Sequence, residues 1–310
     1  MVDGAANPYT VLTLSHWPGN NTPACYKRDL SAEIAFSVIS DPAFVPPAKI
    51  VSNNHFDEDG LVSVFALILP ERALEYKESL IDIARAGDFG VYQDLASARA
   101  SFVLNAWANP AISPLNEGVF KKPYHEITAI LYEELLQRLL SVIDKVEHLE
   151  RYWREEDAFL QASLNAFDKG LIDIEEDQKR NLAIIRIDDA VLPRANLDRA
   201  TSWVSQVIHP MAIHNRTDAM RILVIKGRMQ EFYYRYETWV DYVSRKLPPR
   251  LDLHQLASRL NELEKGRGRW KFNGVSEIIA RLNLNGHNMS EIGEVRFIKE
   301  LRESLDHDSI

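Results

Sequence analysis

The stretch Ile50 to Leu67 constrains this chain more than any other, because three kinds of sequence meet in eighteen positions. An apolar run ends at Val51. The turn Ser52-Asn53-Asn54-His55-Phe56-Asp57-Glu58-Asp59-Gly60 follows and carries one imidazole and three carboxylates. A second apolar run, with helical spacing, begins at Leu61. This grammar reads as strand, charged turn and helix. In an open α/β sheet, ligands bind beyond the carboxyl ends of strands, where a following helix points its first backbone N–H groups. The turn is therefore the first place to look for chemistry.

The preceding residues extend the pattern. Tyr9 to Leu14 is rich in β-branched and apolar residues and reads as a strand ending just before His16, with Pro18-Gly19-Asn20-Asn21 as its turn. Asp29 to Ser40 has helical spacing, and Lys49 to Ser52 follows as a second strand after Pro42, Pro46 and Pro47. A strand-helix-strand order implies parallel neighbours with both carboxyl ends at one edge, which would bring His16 to the edge carrying His55, Asp57 and Asp59.

Downstream, Leu61 to Leu69, Glu71 to Ala86 and Gln93 to Trp107 read as helices, with Gly87-Asp88-Phe89-Gly90 ending the second. Tyr124 to Asp168 reads as one or two long helices, its charged later part suiting a linker between domains. Beyond Gly170 short strands predominate: Ile172 to Ile174, Leu182 to Ile187, and a hairpin of Met220 to Ile225 with Gln230 to Tyr236 around Lys226-Gly227-Arg228. Helices are expected over Leu197 to Ile208, Leu253 to Glu264 and Val275 to Leu282. The expectation is an α/β protein of two domains: residues 1–168 with a mostly parallel sheet and the linker helix, and residues 169–310, smaller and of α/β or α+β type.

Composition narrows the partners. A net charge of -9 over 310 residues argues against a long nucleic-acid duplex, whose binding is driven by lysine and arginine. A short or small anionic ligand stays open if positive charge, or a cation, is local. One cysteine, Cys25, excludes an internal disulfide framework, and no apolar run reaches the ~20 residues that span a bilayer. A cytoplasmic protein without membrane contact is expected.

Asp57 and Asp59 repel each other unless a proton or a cation relieves them. With His55 they make a nitrogen and oxygen set suited to Mn²⁺ or Mg²⁺, one ion or two. A cation there would bind a phosphoryl oxygen and acidify an attacking water. The competing reading is that Asp57 caps the following helix while Glu58 and Asp59 favour its dipole, which leaves His55 without a role. A calcium loop starting at Asp57 fails because Leu61 and Val62 stand where an oxygen ligand and glycine are needed. A zinc-protease helix at His125-Glu126 fails because Ala129 replaces its second histidine.

His55-Phe56-Asp57-Glu58-Asp59-Gly60-Leu61-Val62-Ser63 resembles the first motif of the DHH phosphoesterase superfamily. The resemblance implies a doubly wound amino-terminal domain, a manganese-dependent phosphoesterase site and a smaller substrate domain, joined by a long helix. It makes His55, Asp57 and Asp59 metal ligands and Asp88 the candidate for the bridging aspartate of a second motif. The Asp-His-His triplet of that superfamily does not occur here. Together with Leu14-Ser15-His16-Trp17-Pro18 and Ala86-Gly87-Asp88-Phe89, the motif looks more like an uncharacterised bacterial family distantly related to it. His16 is the stand-in for a missing ligand, with His125 as second candidate.

In the second domain, Arg267 and Arg269 in Gly266-Arg267-Gly268-Arg269-Trp270 suit bidentate anion contacts, and His209 and His214 are further candidates for substrate binding. Two functions compete. One is a metal-dependent hydrolase of phosphoester or phosphoanhydride bonds in a small molecule or short oligonucleotide, sited between the domains, with Asp57, Asp59 and Asp88 catalytic. The other is a non-catalytic binding or scaffold protein with an incomplete metal set.

Overall fold

The structure, a computed structural model, describes residues 1–194, 202–287 and 289–306. It is a mixed α/β protein with twelve α-helices and one six-stranded mixed sheet among those residues. The chain divides into two compact units, one of residues 1–158 with 240–246 and the other of residues 159–239 with 247–310.

The first unit is helical: α1 (Ser31–Ile39), α2 (Glu58–Ile68), α3 (Pro70–Glu75), α4 (Lys77–Phe89), α5 (Leu95–Ala108), α6 (Tyr124–Leu136), α7 (Leu139–Asp144) and the first half of α8 (Glu150–Asp168). The two strands expected before α2 do not form. Among the described residues no strand precedes Ile172, and the single ladder contact is a parallel bridge from Val2 to Leu14. Local chemistry explains the loss. Asn7 to Thr10 closes a turn through Thr10 N–H to the Asn7 carbonyl (3.0 Å) and Tyr9 N–H to Asn7 Oδ1 (2.9 Å), leaving Tyr9 and Val11 exposed. Pro46 and Pro47, lacking N–H groups, shorten the second run from its start.

What remains is a trio of extended segments with Met1 to Asp3 in the middle. Val2 N–H donates to the Ser52 carbonyl (3.0 Å), Asp3 N–H to that of Leu14 (3.0 Å), and Leu14 N–H to that of Met1 (2.9 Å). Val2 and Leu14 pack on Ile34 and Val38 of α1 and Val64 of α2. The α2 helix is buried along most of its length, from Glu58 to Ala66, and packs on α1 and α4. Gly87 lies inside α4, and the helix ends at Gly90, whose φ of 62° is the left-handed value that favours glycine.

The second unit contains the sheet, ordered β1 (Ile172–Asp177), β2 (Leu182–Ile187), β3 (Arg221–Lys226), β4 (Met229–Tyr234), β6 (Arg281–Asn285), β5 (Arg269–Phe272). Only β2 and β3 run parallel; the other neighbours are antiparallel. The β3–β4 hairpin turns at Gly227, with φ 54°. Leu182, Ile184, Leu223, Phe232 and Leu282 alternate along their strands onto one face, covered by Leu256 and Leu260 of α11 (His254–Leu263) and Phe297 and Leu301 of α12 (Glu294–Asp306). Two short helices, α9 (Val204–Val207) and α10 (Pro210–His214), stand between the parallel strands. The helix expected over Leu197 to Ile208 lies partly outside the described residues, and within them only α9 is helical. The helix expected over Val275 to Leu282 does not form, because the period there is two: Leu282 and Leu284 point inward on β6, while Val275 and Ile278 stay exposed.

Leu14 holds the segment that delivers His16 and is 3% exposed. Leu14→Ala should destabilise the first unit by about 2–4 kcal/mol, the usual cost of emptying a packed site. Urea denaturation followed by fluorescence checks this, and a cost below about 1 kcal/mol would mean that the segment is not anchored by its core.

Candidate functional site

Asp3 lies at the end of the middle extended segment, flanked by His16, two residues beyond Leu14, and His55, three beyond Ser52. Its φ of 40° is left-handed, a conformation that aspartate tolerates better than most residues at some cost in strain. Three local bonds hold it: Asp3 N–H to the Leu14 carbonyl, Gly4 N–H to Ser15 Oγ (3.0 Å), and the Ser31 hydroxyl to Asp3 Oδ1 (2.9 Å).

The two oxygens of Asp3 face different histidines. His16, fully buried, places Nε2 3.4 Å from Asp3 Oδ1, 3.6 Å from Asp59 Oδ2 and 3.4 Å from Asp88 Oδ2. His55, 19% exposed, places Nε2 3.3 Å from Asp3 Oδ2 and 2.6 Å from Asp57 Oδ2. Each imidazole rests its Nδ1 on an acceptor, His16 on the Asp29 carbonyl (2.6 Å) and His55 on Asn54 Oδ1 (3.0 Å). That arrangement commits Nδ1 as donor and turns Nε2 toward the carboxylates, the orientation of a metal-binding histidine. Asp3, His16 and Asp59 form one group and Asp3, His55 and Asp57 another, the ligand atoms within each lying within 4.8 Å of one another.

Helix ends share the same carboxylates. Asp57 caps α2, its Oδ1 accepting from Gly60 N–H (2.8 Å), while its other oxygen, Oδ2, faces His55 Nε2 (2.6 Å). Asp59 accepts from Ser31 N–H (2.8 Å) and Ala32 N–H (2.6 Å) and so caps α1 across space. Glu58 points away, to Ser101 Oγ and Asn105 Nδ2, both at 2.5 Å. A Cβ at Gly87 would come within 2.7 Å of Glu58 Oε2, so glycine there lets α4 lie against α2.

The charges do not balance. Four aspartates surround two imidazoles, and Glu58 is buried behind them against Ser101 and Asn105. Burial pushes Asp59 up to about 8, with the Asp3 charge adding to it, and Glu58 up to about 7. Asp88 is pushed well above the carboxylate range by burial and by Asp59, Asp57 and Asp3. Burial also opposes charge on the histidines, but their carboxylate partners win: Asp3 and Asp59 raise His16 to about 9, and Asp3 and Asp57 raise His55 to about 10. Burial acts against ionised Asp3 as well, yet the two imidazoles hold it far below its ordinary value. A cation at this place would relieve the same repulsion.

The donor set fits a divalent cation on structural grounds. Asp3 Oδ2 and Asp88 Oδ2 are buried oxygens that accept no hydrogen bond. The set holds nitrogen and oxygen and no thiolate, the ligand types that divalent cations take from imidazole and carboxylate. The expected ligands His16, His55, Asp57, Asp59 and Asp88 all meet at this place. The expectation omitted Asp3, whose available signal was an aspartate before glycine after an apolar residue, a pattern for a left-handed turn. His125 is exposed on the first turn of α6 and belongs to neither group.

The remaining candidates belong to the second unit. His209 is buried and caps α10 through Met211 N–H to its Nδ1 (3.1 Å), with Phe159 against its ring. His214 Nε2 lies 3.1 Å from the Tyr233 hydroxyl. Arg267 and Arg269 are exposed, and Arg269 Nη1 donates to the Gly268 carbonyl (2.8 Å). No helix among the described residues is long and apolar enough to cross a membrane.

Fold and site together define a mixed α/β protein whose helical unit carries a buried cluster of carboxylates and imidazoles. The model of a family of unknown function (DUF6687) matches residues 1–302, and the chain belongs to that family. No curated protein and no solved structure matches it. No match to the DHH superfamily was found, so that resemblance rests on the motif from His55 to Ser63 alone.

Asp59 and the two histidines bind more protons folded than unfolded, so metal-free protein should lose stability as pH rises, through Asp59 from about 4 to about 8 and through the histidines from about 6.5 to about 10. Melting temperature across that range, in chelator, is the measurement. A curve that stays flat or climbs would contradict the charge arrangement described.

Proposed function

We propose that this protein is a divalent-cation-dependent hydrolase of phosphoester or phosphoanhydride bonds in a small molecule or short oligonucleotide. The observation that carries the reading is Asp3, a buried carboxylate whose two oxygens face two separate histidine and aspartate sets. One ion would be held by Asp3, His16 and Asp59, with Asp88 beside them, and a second by Asp3, His55 and Asp57. Mn²⁺ or Mg²⁺ there would neutralise the carboxylates, polarise a phosphoryl oxygen and acidify a water.

The chain's own groups supply the rest. Asn54 and the Asp29 carbonyl keep both Nε2 atoms aimed inward. The inner set is closed to solvent, whereas the His55 and Asp57 side chains are 19% and 30% exposed, so substrate would arrive on their side. Asp88 stands next to the inner set as a proton acceptor once cations have lowered its affinity for protons.

Protein purified without chelator should carry a divalent metal, measured by elemental analysis, and should hydrolyse bis(p-nitrophenyl) phosphate. Asp3→Asn, which touches both sets, should lower bound metal to under half of the wild-type content and activity by at least about a hundredfold, the low end of the roughly 100–1000-fold cost of a lost charge-stabilising group. Wild-type protein that takes up neither Mn²⁺ nor Mg²⁺, with no rise in melting temperature on adding them, sinks the hydrolase reading and leaves a scaffold.

A further inference from the structure

A short segment from the second half of the chain binds around His16. The chain leaves the second unit after Trp239, contributes Val240–Lys246 to the first, and rejoins the second at Leu247. Val240 is buried, Val243 to Lys246 are exposed, and the segment is neither helix nor strand. Its hold on the first unit therefore rests on individual bonds, and these converge on His16.

Three routes lead there. Asp241 N–H donates to the His16 carbonyl (2.7 Å) and fixes the main chain. Asp29 Oδ1 accepts from Val243 N–H (2.7 Å) and Ser244 N–H (2.9 Å), while the carbonyl of the same residue accepts from His16 Nδ1 (2.6 Å). The residue that orients the imidazole is thus itself tied to the segment. Third, the Tyr242 ring lies against Phe89 (centroids 5.9 Å) and Phe89 against the His16 ring (6.3 Å). Asp241 Oδ2 also accepts from Asn20 Nδ2 (3.0 Å) and Lys27 Nζ (2.9 Å), which secures the loop between His16 and Asp29.

The inner set needs this support more at His16 than elsewhere. Asp59 and Asp88 stand on α2 and α4, whereas His16 stands at the start of a loop. The bonds from Val243 and Ser244 to Asp29 are exposed, and they border a cavity of about 780 Å³ lined also by Lys27, Arg28 and Arg85. Exposed bonds of this kind open locally at low cost while the core stays folded.

We propose that Asp29 is a positioning residue for the inner metal set and Val240–Lys246 the strap it latches, so that strap docking and binding of the inner cation are one coupled equilibrium. This role rests on the metal reading above and deepens it, because it names what holds the histidine of that set in place. By linkage, the docked strap favours the cation to the same extent that the cation favours the docked strap. Opening the latch removes no ligand, so it lowers affinity without changing the ligand count.

Hydrogen exchange of the peptide containing residues 240–246, followed by mass spectrometry on the full chain, is the first measurement, with bound manganese determined on the same samples. In the wild type, Mn²⁺ should slow that exchange. Mn²⁺ titrations of variants are the second. Asp29→Ala should speed exchange in the peptide and weaken Mn²⁺ binding by about tenfold, the low end of the roughly 10–100-fold cost of losing a partner that orients a metal ligand. Asp29→Asn keeps an oxygen acceptor at the same place and should restore both properties. Tyr242→Leu, which removes the ring against Phe89, should weaken Mn²⁺ binding in the same direction. Circular dichroism identifies any variant that does not fold, and the wild-type exchange result and the remaining variants then decide. Unchanged exchange in Mn²⁺-loaded wild type overturns the coupling. So does an Asp29→Ala protein that frees the strap yet binds Mn²⁺ like wild type, and an Asp29→Asn protein as weak as Asp29→Ala counts against the latch; the metal reading survives all three. Wild-type protein that takes up no Mn²⁺ defeats the metal reading, and the strap proposal falls with it.

Discussion

An excess of buried negative charge is the constraint on which the first unit depends. Asp3, Asp57, Asp59 and Asp88 approach one another around two imidazoles, and an isolated buried carboxylate is costly unless something positive or hydrogen-donating faces it. Two helix amino termini provide part of that compensation. Asp59 sits on the first N–H groups of α1, and Asp57 on that of Gly60 in α2, where the helix dipole favours an anion. The imidazoles provide more, and protons on Asp59 and Asp88 the remainder. A divalent cation would replace those protons, coupling metal binding to both pH and stability.

The packing around the cluster follows from that need. Gly87 brings α4 close enough for Asp88 to reach His16 while leaving room for Glu58, and Gly60 keeps α2 clear of Asn53 and Tyr132. Neither glycine has a positive φ; each is there because of what a Cβ would strike. The outer part of α2, from Leu61 to Ala66, is buried among apolar neighbours and carries no charge, so the cost of the charged end is offset by the burial of the rest.

The second unit is built on different terms. Its central strands are apolar on both faces, and its ionic groups are paired: Arg235 with Glu237, and Arg281 with Glu231. Removing one partner of a buried pair such as Arg235 and Glu237 would leave the other charge buried and unpaired. The histidines of this unit, His209 and His214, have local partners that account for them, a helix cap and a tyrosine hydroxyl.

By itself, the sequence determined the location of the charged cluster. His55, Asp57 and Asp59 are neighbours in the chain, a turn between apolar runs places them together whatever the surroundings, and helix α2 announces itself by its period. The central hairpin of the second unit was legible for the same reason, since alternation and a Gly227 turn are local signals. Tertiary structure alone decided that Met1 to Asp3 inserts between the two extended segments, so that Asp3, fifty-two residues from His55, faces both histidines. The turn at Asn7 to Thr10 and the prolines at 46 and 47 shorten the two expected strands locally, and tertiary structure decided that what remains pairs through Met1 to Asp3 as single contacts. Tyr132 came to lie over Gly60 the same way. Its placement over Gly60 follows from the packing of α6 on α2, a contact between side chains that no local pattern encodes.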